Sequence, residues 1–581
     1  MAPNSLRILK TICAGAAAGL VLVSCNGSSG TAGTGLASGQ TLKFPILGDF
    51  GTLDPSQLSA ETDSQIAQNL FNGLIRLDSN LNIVPDIALA MPVISTDGLT
   101  YTFSMRHDVT FSNGDKVTSK DVLYSWNRAA AMRGANAGNL APIEGYGTVS
   151  QNQIAGSSLE ALLEKGDSSV TLSGLTAPDA YTVKVQLSNP AGWFLSAIAV
   201  GATTAMVVDQ NVVKTDFDNW WTRPETLIGT GAFRMTARAP NQSVDFAAVP
   251  SWWGSPKPTL TKIHIDIIPN ASSAIAAYEQ GTYDLYGYGG YGSAPINDIL
   301  RIQATAGEKA QLLLHPGVQT TWISFNMVSD SKRPAGGPFT LDQGQPAHDL
   351  RMAFALAIDK AKLTSVVCHN ISCAPATGGL ITKGLLGYLG DGADPLAAFD
   401  AAKAKSLLAG ADPTGSKTKG LSYAYDSSNP LNKDVAGFLQ DQWQTNLGVH
   451  VDVQPYDFSS FVTSRLKGAY VLSHDEWLAD YNHPQDWYDN LWGKPVGCPD
   501  SNCTSGYDTA AYDTLLAKAD SESPSAGLAD YKALSRQLIA DVAYIPLYYS
   551  VGALLIKPYV LGAGTNNFFD YYWDQIQILS H

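Results

Sequence analysis

Charge is scarce in this chain: 15% of its 581 residues are Asp, Glu, Lys or Arg, and 52 acids against 37 bases give a formal net charge of −15. That balance excludes a polyanion-binding surface, so nucleic acid is not an expected partner. Long apolar runs are missing beyond the first 25 residues, and a transmembrane helix needs about 20 such residues to cross ~30 Å of hydrocarbon. Histidine is sparse, at nine residues with no i, i+4 pair. There is no His-Glu-x-x-His and no Gly-x-Ser-x-Gly, so the metalloprotease and nucleophile-elbow signatures are both absent. No cofactor is expected. Gly287, Gly289 and Gly292 formally satisfy G-x-G-x-x-G, but Pro295 follows and the segment does not run strand-to-helix. The stretch Gly410 to Thr418 approaches a phosphate loop, yet Ser416 separates Gly415 from Lys417 and a helical run precedes it where a strand is required.

What is present begins at the N-terminus. Arg7 and Lys10 precede an apolar stretch from Ile12 to Val23 that ends in Leu22-Val23-Ser24-Cys25. The stretch is too short to span a membrane and reads as a secretory signal over 1–24. A small residue directly before cysteine resembles a bacterial lipobox, which marks Cys25 for acylation and predicts a lipid anchor on the outer side of the cell membrane. Residues 25–40 are Gly- and Ser-rich and read as a flexible tether.

Six cysteines are few for this length. Cys13 leaves with the signal and Cys25 takes lipid, so Cys368 with Cys373 and Cys498 with Cys503 remain, both spaced C-x4-C in loops rich in Gly, Pro and Asn. In an oxidising compartment these read as local disulfides. A four-thiolate zinc site is the alternative, against which stands the wider spacing than the usual C-x2-C knuckle.

Apolar and polar residues alternate over Leu99 to Met105, Tyr181 to Leu187, Ile263 to Ile267 and Val449 to Val453, which predicts half-buried strands. Ile66 and Leu70 keep helical spacing, closed by Gly73. Thr118 with Asp121 predicts an N-cap for a helix carrying Val122 and Trp126 on one face. Asn270 and Gly281 bracket another helix, and Asp349 opens one through Ile358. Strands and helices interspersed throughout predict an α/β protein of more than one lobe.

Several segments then fall in a characteristic order: Leu53-Asp54-Pro55, NLFNGLIRLDSNLNIVPDIALAM, DGLTYTFSMRHDVTFSNGDKVTSKDVLYSW, GTGAFRM, PSWWG, IIPNASSAIAAYEQGTYDL, DLRMAFALAIDKAKL, WLADYNHP and YIPLYY. Together they resemble the peptide/nickel-binding family of ABC-importer receptors, which includes the oligopeptide- and dipeptide-binding proteins. The resemblance implies a hinged, bilobed periplasmic-binding-protein-like fold with an extra lobe inserted in the first half. It places lobe one at 41–84, 213–312 and 543–581, the inserted lobe at 85–212 and the opposing lobe at 313–542. The implied function is capture of short peptides by a monomer and their delivery to permease subunits, without catalysis.

The resemblance also implies site residues. Asp480, in the ADYN-type stretch, would hold the peptide's α-ammonium by a charge-assisted hydrogen bond. Glu476, Trp477, Leu478 and Tyr481 flank it, with residues just before Asp480 running as an edge strand beside an extended ligand and Trp477 walling a pocket. Ser59 and Glu61 would face the cleft from the other side. Arg465 sits where some relatives carry an arginine for the ligand's carboxylate, although as a bare residue it reads first as a surface arginine. His474 is a further candidate. Tyr286, Tyr288 and Trp322 are aromatics expected near the lobe crossing. The readings kept open beside this one are an oligosaccharide or metal-chelate receptor of the same fold and a surface hydrolase.

Overall fold

The computed structural model describes residues 35–199, 205–287, 294–328, 337–493, 505–564, 568 and 572–581. Cys25, Tyr288, Cys498 and Cys503 therefore lie outside the described residues. In the first lobe Thr41–Ile46 pairs in parallel with Lys262–Ile267, which continues antiparallel to Ser243–Ala248 and Phe233–Ala239. The period-two pattern has its expected consequence: Ile263 and Ile265 are fully buried between Lys262, His264 and Asp266.

The inserted segment builds a second four-stranded sheet in the order Val93–Ile94, Thr100–Ser104, Thr182–Gln186, Leu175–Asp179. Across it runs the helix Ser119–Met132, opened by a capping box in which Thr118 and Asp121 satisfy each other's backbone N–H groups. Its inner face buries Val122 and Trp126 completely. The inserted segment does not own a separate core: its apolar residues merge with those of lobe one in a single cluster running from Leu42 through Phe103 and Val183 to Ile265. A buried ion pair ties the two together. Arg128 on that helix donates from Nη1 to Asp54 Oδ1 at 2.7 Å and from Nη2 to Oδ2 at 2.5 Å, and the Trp220 indole adds a bond at 3.3 Å. Burial alone would push the Asp54 carboxyl up, but the Arg128 charge and hydrogen bonds outweigh it and hold it below the usual carboxylate range. Removing one partner would leave a buried charge unmatched, so Leu53-Asp54-Pro55 is a structural motif that fixes the chain leading to Ser59.

The opposing lobe is built on a larger mixed sheet in the order Leu285–Tyr286, Tyr544–Ile556, Leu312–Phe325, Leu472–Leu478, Leu421–Asp426, Val451–Tyr456, with Cys373–Pro375 added beside Tyr544–Ile556. Two long antiparallel strands, Leu312–Phe325 and Tyr544–Ile556, belong to both lobes. Leu312 to Pro316 pair with Leu555 to Val551 on the lobe-one side, the register breaks, and Thr320 to Ser324 pair with Tyr549 to Tyr544 in the opposing lobe. The lobes thus meet at an irregular ladder step, where bending costs fewest hydrogen bonds. Tyr544, Ile545 and Leu547 pack in the opposing lobe's core. The boundary expected at 543 therefore falls at the start of a continuous strand that serves the opposing lobe first and crosses near Tyr549 to Val551.

The Asn270 cap is in place, its Oδ1 accepting from Ser273 N–H at 2.8 Å. The helix expected to open at Asp349 starts earlier, at Gln345, because Pro346 is accommodated in its first turn, where its missing N–H costs nothing. Cys368 and Cys373 form a disulfide beside the crossing, joining the end of the helix Lys360–Val367 to Cys373–Pro375. Among the described residues no helix is long and apolar enough to cross a membrane.

Candidate ligand-binding site

The strand Leu472–Leu478 decides where a ligand chain has something to bind. On one side it pairs along its whole length with Leu312–Phe325. On the other, Tyr423 and Ala424 pair with Leu472 and Ser473 only, so among the described residues no strand covers the edge from His474 to Leu478. Such an edge presents main-chain groups to an extended segment laid beside it, although the Glu476 N–H already donates to Asp475 Oδ1 at 3.1 Å. Glu476 and Leu478 project into solvent there, Glu476 with 44% of its side chain exposed. His474, buried, approaches Glu476 with Nε2 3.3 Å from Oε2. Burial pushes the Glu476 carboxyl up, but the His474 hydrogen bond and the charges of His474 and Arg465 outweigh it and keep the group anionic.

Two residues beyond the strand stands Asp480. Water reaches its side chain, yet protein crowds it closely enough that desolvation raises its pKa to about 6. Those two properties together describe a carboxylate that is accessible but poorly hydrated. Asp486, fully buried, supports this stretch from below. Its Oδ2 accepts from the Asp480 N–H at 2.9 Å and from the Trp477 indole at 3.3 Å, so one side chain fixes both the loop and the ring. Burial first, then the Asp480 charge, pushes the Asp486 carboxyl far up. Of this pair Asp486, the more deeply buried, is the one whose carboxyl burial and the neighbouring charge push furthest up. Asp486 was not singled out from the sequence; a lone aspartate six residues past Asp480 carries no signal of its own.

Other predicted residues are placed differently. Arg465 is not a surface arginine: its Nη1 donates to buried Asp475 Oδ1 at 2.5 Å, and Asp475 Oδ2 accepts from Ser324 at 2.7 Å. Tyr481 is buried, its hydroxyl bonded to Gln485. Trp322 is only 1% exposed, donating to Ser324 Oγ at 3.0 Å and packing on Trp492. It is a core residue because its strand position, opposite Asp475, points inward. Tyr286 is equally buried, within the small cluster of Ala274, Ile275, Tyr278 and Leu555, so it belongs to the lobe-one side of the crossing rather than to a wet rim. Ser59 is exposed and Glu61 half-buried, with Gln65 donating to Glu61 Oε1 at 3.0 Å. The Leu58 carbonyl before them accepts from Asn136 of the inserted lobe at 3.0 Å.

Comparison with known proteins adds the lineage of this arrangement. Residues 82–497 match the bacterial extracellular solute-binding proteins, family 5, in its middle region. The chain belongs to that family. This solute-binding protein is 27% identical over 540 residues to the periplasmic murein peptide-binding protein MppA of Escherichia coli (strain K12), covering 92% of each chain. It is 26% identical over 536 residues to the periplasmic oligopeptide-binding protein OppA of the same organism, covering 91% of each. The unliganded open form of the MppA murein tripeptide-binding protein superposes with a TM-score of 0.78 at 26% identity, over 94% of this chain and 99% of that one. Such receptors of ABC importers are substrate-binding proteins, and the two-lobed α/β architecture described above is the family's.

Proposed function

We propose that this solute-binding protein is a lipid-anchored extracytoplasmic receptor that captures short peptides between its lobes and delivers them, without chemical change, to an ABC permease. The observation that carries the reading is the conjunction of Asp480 with the edge from Glu476 to Leu478, which no strand covers among the described residues. An extended peptide laid along that edge gains main-chain hydrogen bonds that read no side chain, while its α-ammonium meets a carboxylate that water hydrates poorly. Desolvation makes this pairing stronger than at an open surface, and a free amine is the group that rewards it. Trp477, oriented by Asp486, forms one wall, and Ser59 with Glu61 faces the ligand from lobe one. The peptide-binding relatives support the cargo class; Ser24-Cys25 and the Gly-rich segment after it support the anchor.

The test is calorimetry with a tripeptide and its N-acetylated form, beside native mass spectrometry of gently purified protein. Binding of the free amine with loss of at least tenfold on acetylation is the expected result. Equal affinity for the two forms removes Asp480 from the role assigned to it, and co-purified sugar or chelated metal in place of peptide replaces the cargo.

A further inference from the structure

The hinge strands are not the only place where the two halves of the molecule touch. Gly192 and Trp193 of the inserted lobe lie directly against the opposing lobe. The Trp193 ring is parallel to that of Tyr481, the neighbour of Asp480, with centroids 6.1 Å apart and planes 12° apart. The Gly192 N–H donates to the Asp520 carbonyl at 3.1 Å. Tyr481 is accordingly the one residue of 313–542 that counts, among the described residues, in the buried core of lobe one and the inserted lobe. It is 4% exposed and is held from its own lobe by Gln485. The approach is backbone to backbone: a Cβ placed on Gly192 would stand 2.1 Å from the Glu522 carbonyl oxygen and 3.3 Å from the Pro524 nitrogen. Only a residue without a side chain permits this closeness, and main-chain atoms at the turn before the helix Pro524–Ala540 cannot swing aside as a flexible side chain would.

We infer that Gly192 and Trp193 are positioning residues for Asp480: the inserted lobe grips the Asp480–Tyr481 loop through this contact and so fixes that loop at the amine end of the cleft. The inserted lobe then acts as part of the jaw. The ring stack holds Tyr481, Tyr481 holds the peptide plane that bears Asp480, and the backbone contact at Glu522 sets how near the two lobes come at this point. This deepens the peptide-capture reading and rests on it for its affinity arm alone.

Gly192→Ala is the decisive variant. The glycine has an ordinary negative φ, so alanine suits its backbone, and the atoms it would strike belong to the other lobe, leaving each lobe free to fold. We expect unchanged circular dichroism, a larger radius of gyration by small-angle X-ray scattering in the free protein and at saturating peptide, and about tenfold weaker tripeptide affinity, because the population with the Asp480 loop held in place shrinks. Trp193→Ala should weaken affinity in the same direction, and Trp193→Phe, which keeps a ring over Tyr481, should restore most of it. Wild-type scattering and affinity in Gly192→Ala would overturn the inference. Tighter binding would also overturn it, since the contact would then oppose capture. If the wild type binds no peptide, the cargo reading fails by itself, and the free-protein scattering still decides the inference: equal radii reject it.

Discussion

Replacing Asp480 by asparagine and following affinity against pH probes the site most directly. In the free protein desolvation raises the Asp480 pKa to about 6. A bound ammonium favours the ionised form, so the complex holds this carboxylate charged at lower pH than the free protein does. The sign follows. Affinity is at its plateau well above pH 6 and falls as the pH drops through 6, because binding must then expel a proton. At pH 5 a group of pKa 6 is about ten parts protonated to one ionised, and since this side chain is open to solvent, screening trims the effect to roughly three- to tenfold. A carboxylate at the ordinary 3.8 would show almost none of it. The peptide's own amine, near 7.7–8.0, stays charged across the window. Calorimetry with one tripeptide from pH 5 to pH 7 should therefore show this slope in the wild type. In Asp480→Asn the slope should vanish, together with a loss of about 1.5–3 kcal/mol at pH 7, the worth of a hydrogen bond to a charged group. A flat wild-type profile, or a slope that survives in the variant, refutes the reasoning.

Arg465→Ala removes the guanidinium from Asp475, which is 3% exposed at its side chain and keeps only uncharged hydrogen-bond donors such as Ser324 among the bonds described, and should lower stability by about 3 kcal/mol in urea unfolding; a loss of peptide affinity without loss of stability would return Arg465 to the ligand's carboxylate. Cys368 and Cys373 are five positions apart, and opening so short a loop by the double serine variant should cost about 2 kcal/mol on loop-entropy grounds, readable as a lower thermal midpoint with the wild type insensitive to further oxidation. Stability should rise as pH falls from 7 to 5. Burial lifts Asp86, Asp394 and Asp489 to about 6 and Asp520 to about 7 in the folded state, so each contributes stability that is present below 4 and lost as pH rises through 6 to 7. Burial lowers His483 to about 3, which opposes the trend as a single group, and Lys360, lowered to about 7, is essentially protonated in both states over most of that window. A thermal midpoint that falls from pH 7 to 5 would contradict these burials.

Local patterns carried much of the architecture. The alternation around Ile263 and Ile265, the Thr118–Asp121 box and the Asn270 cap each depend on neighbours within a few positions, and each appears where its residues demand. The helix at Gln345 began four residues before Asp349 because proline in a first turn looks, in sequence, like proline in a loop. Tyr544–Ile556, which begins beside the boundary expected at 543, is one uninterrupted strand, and nothing along its sequence marks where its partner register breaks.

The site divides along the same line. The family resemblance carried by Trp477-Leu478-Ala479-Asp480 pointed to Asp480 and to the loop of Ser59 to Glu61, because those residues are properties of the chain. It could not decide which aromatics stay wet. Trp322 and Tyr286 have the same polar tips as any cleft residue, and only their strand partners turn them inward. Nor could it find Asp486, Asp475 or Gly192, whose importance lies in what approaches them from 6, 10 or some 330 positions away. Burial, proton affinity and contact across a cleft are sums over spatial neighbours. Those neighbours are assigned by packing, and packing exists only once the lobes have folded.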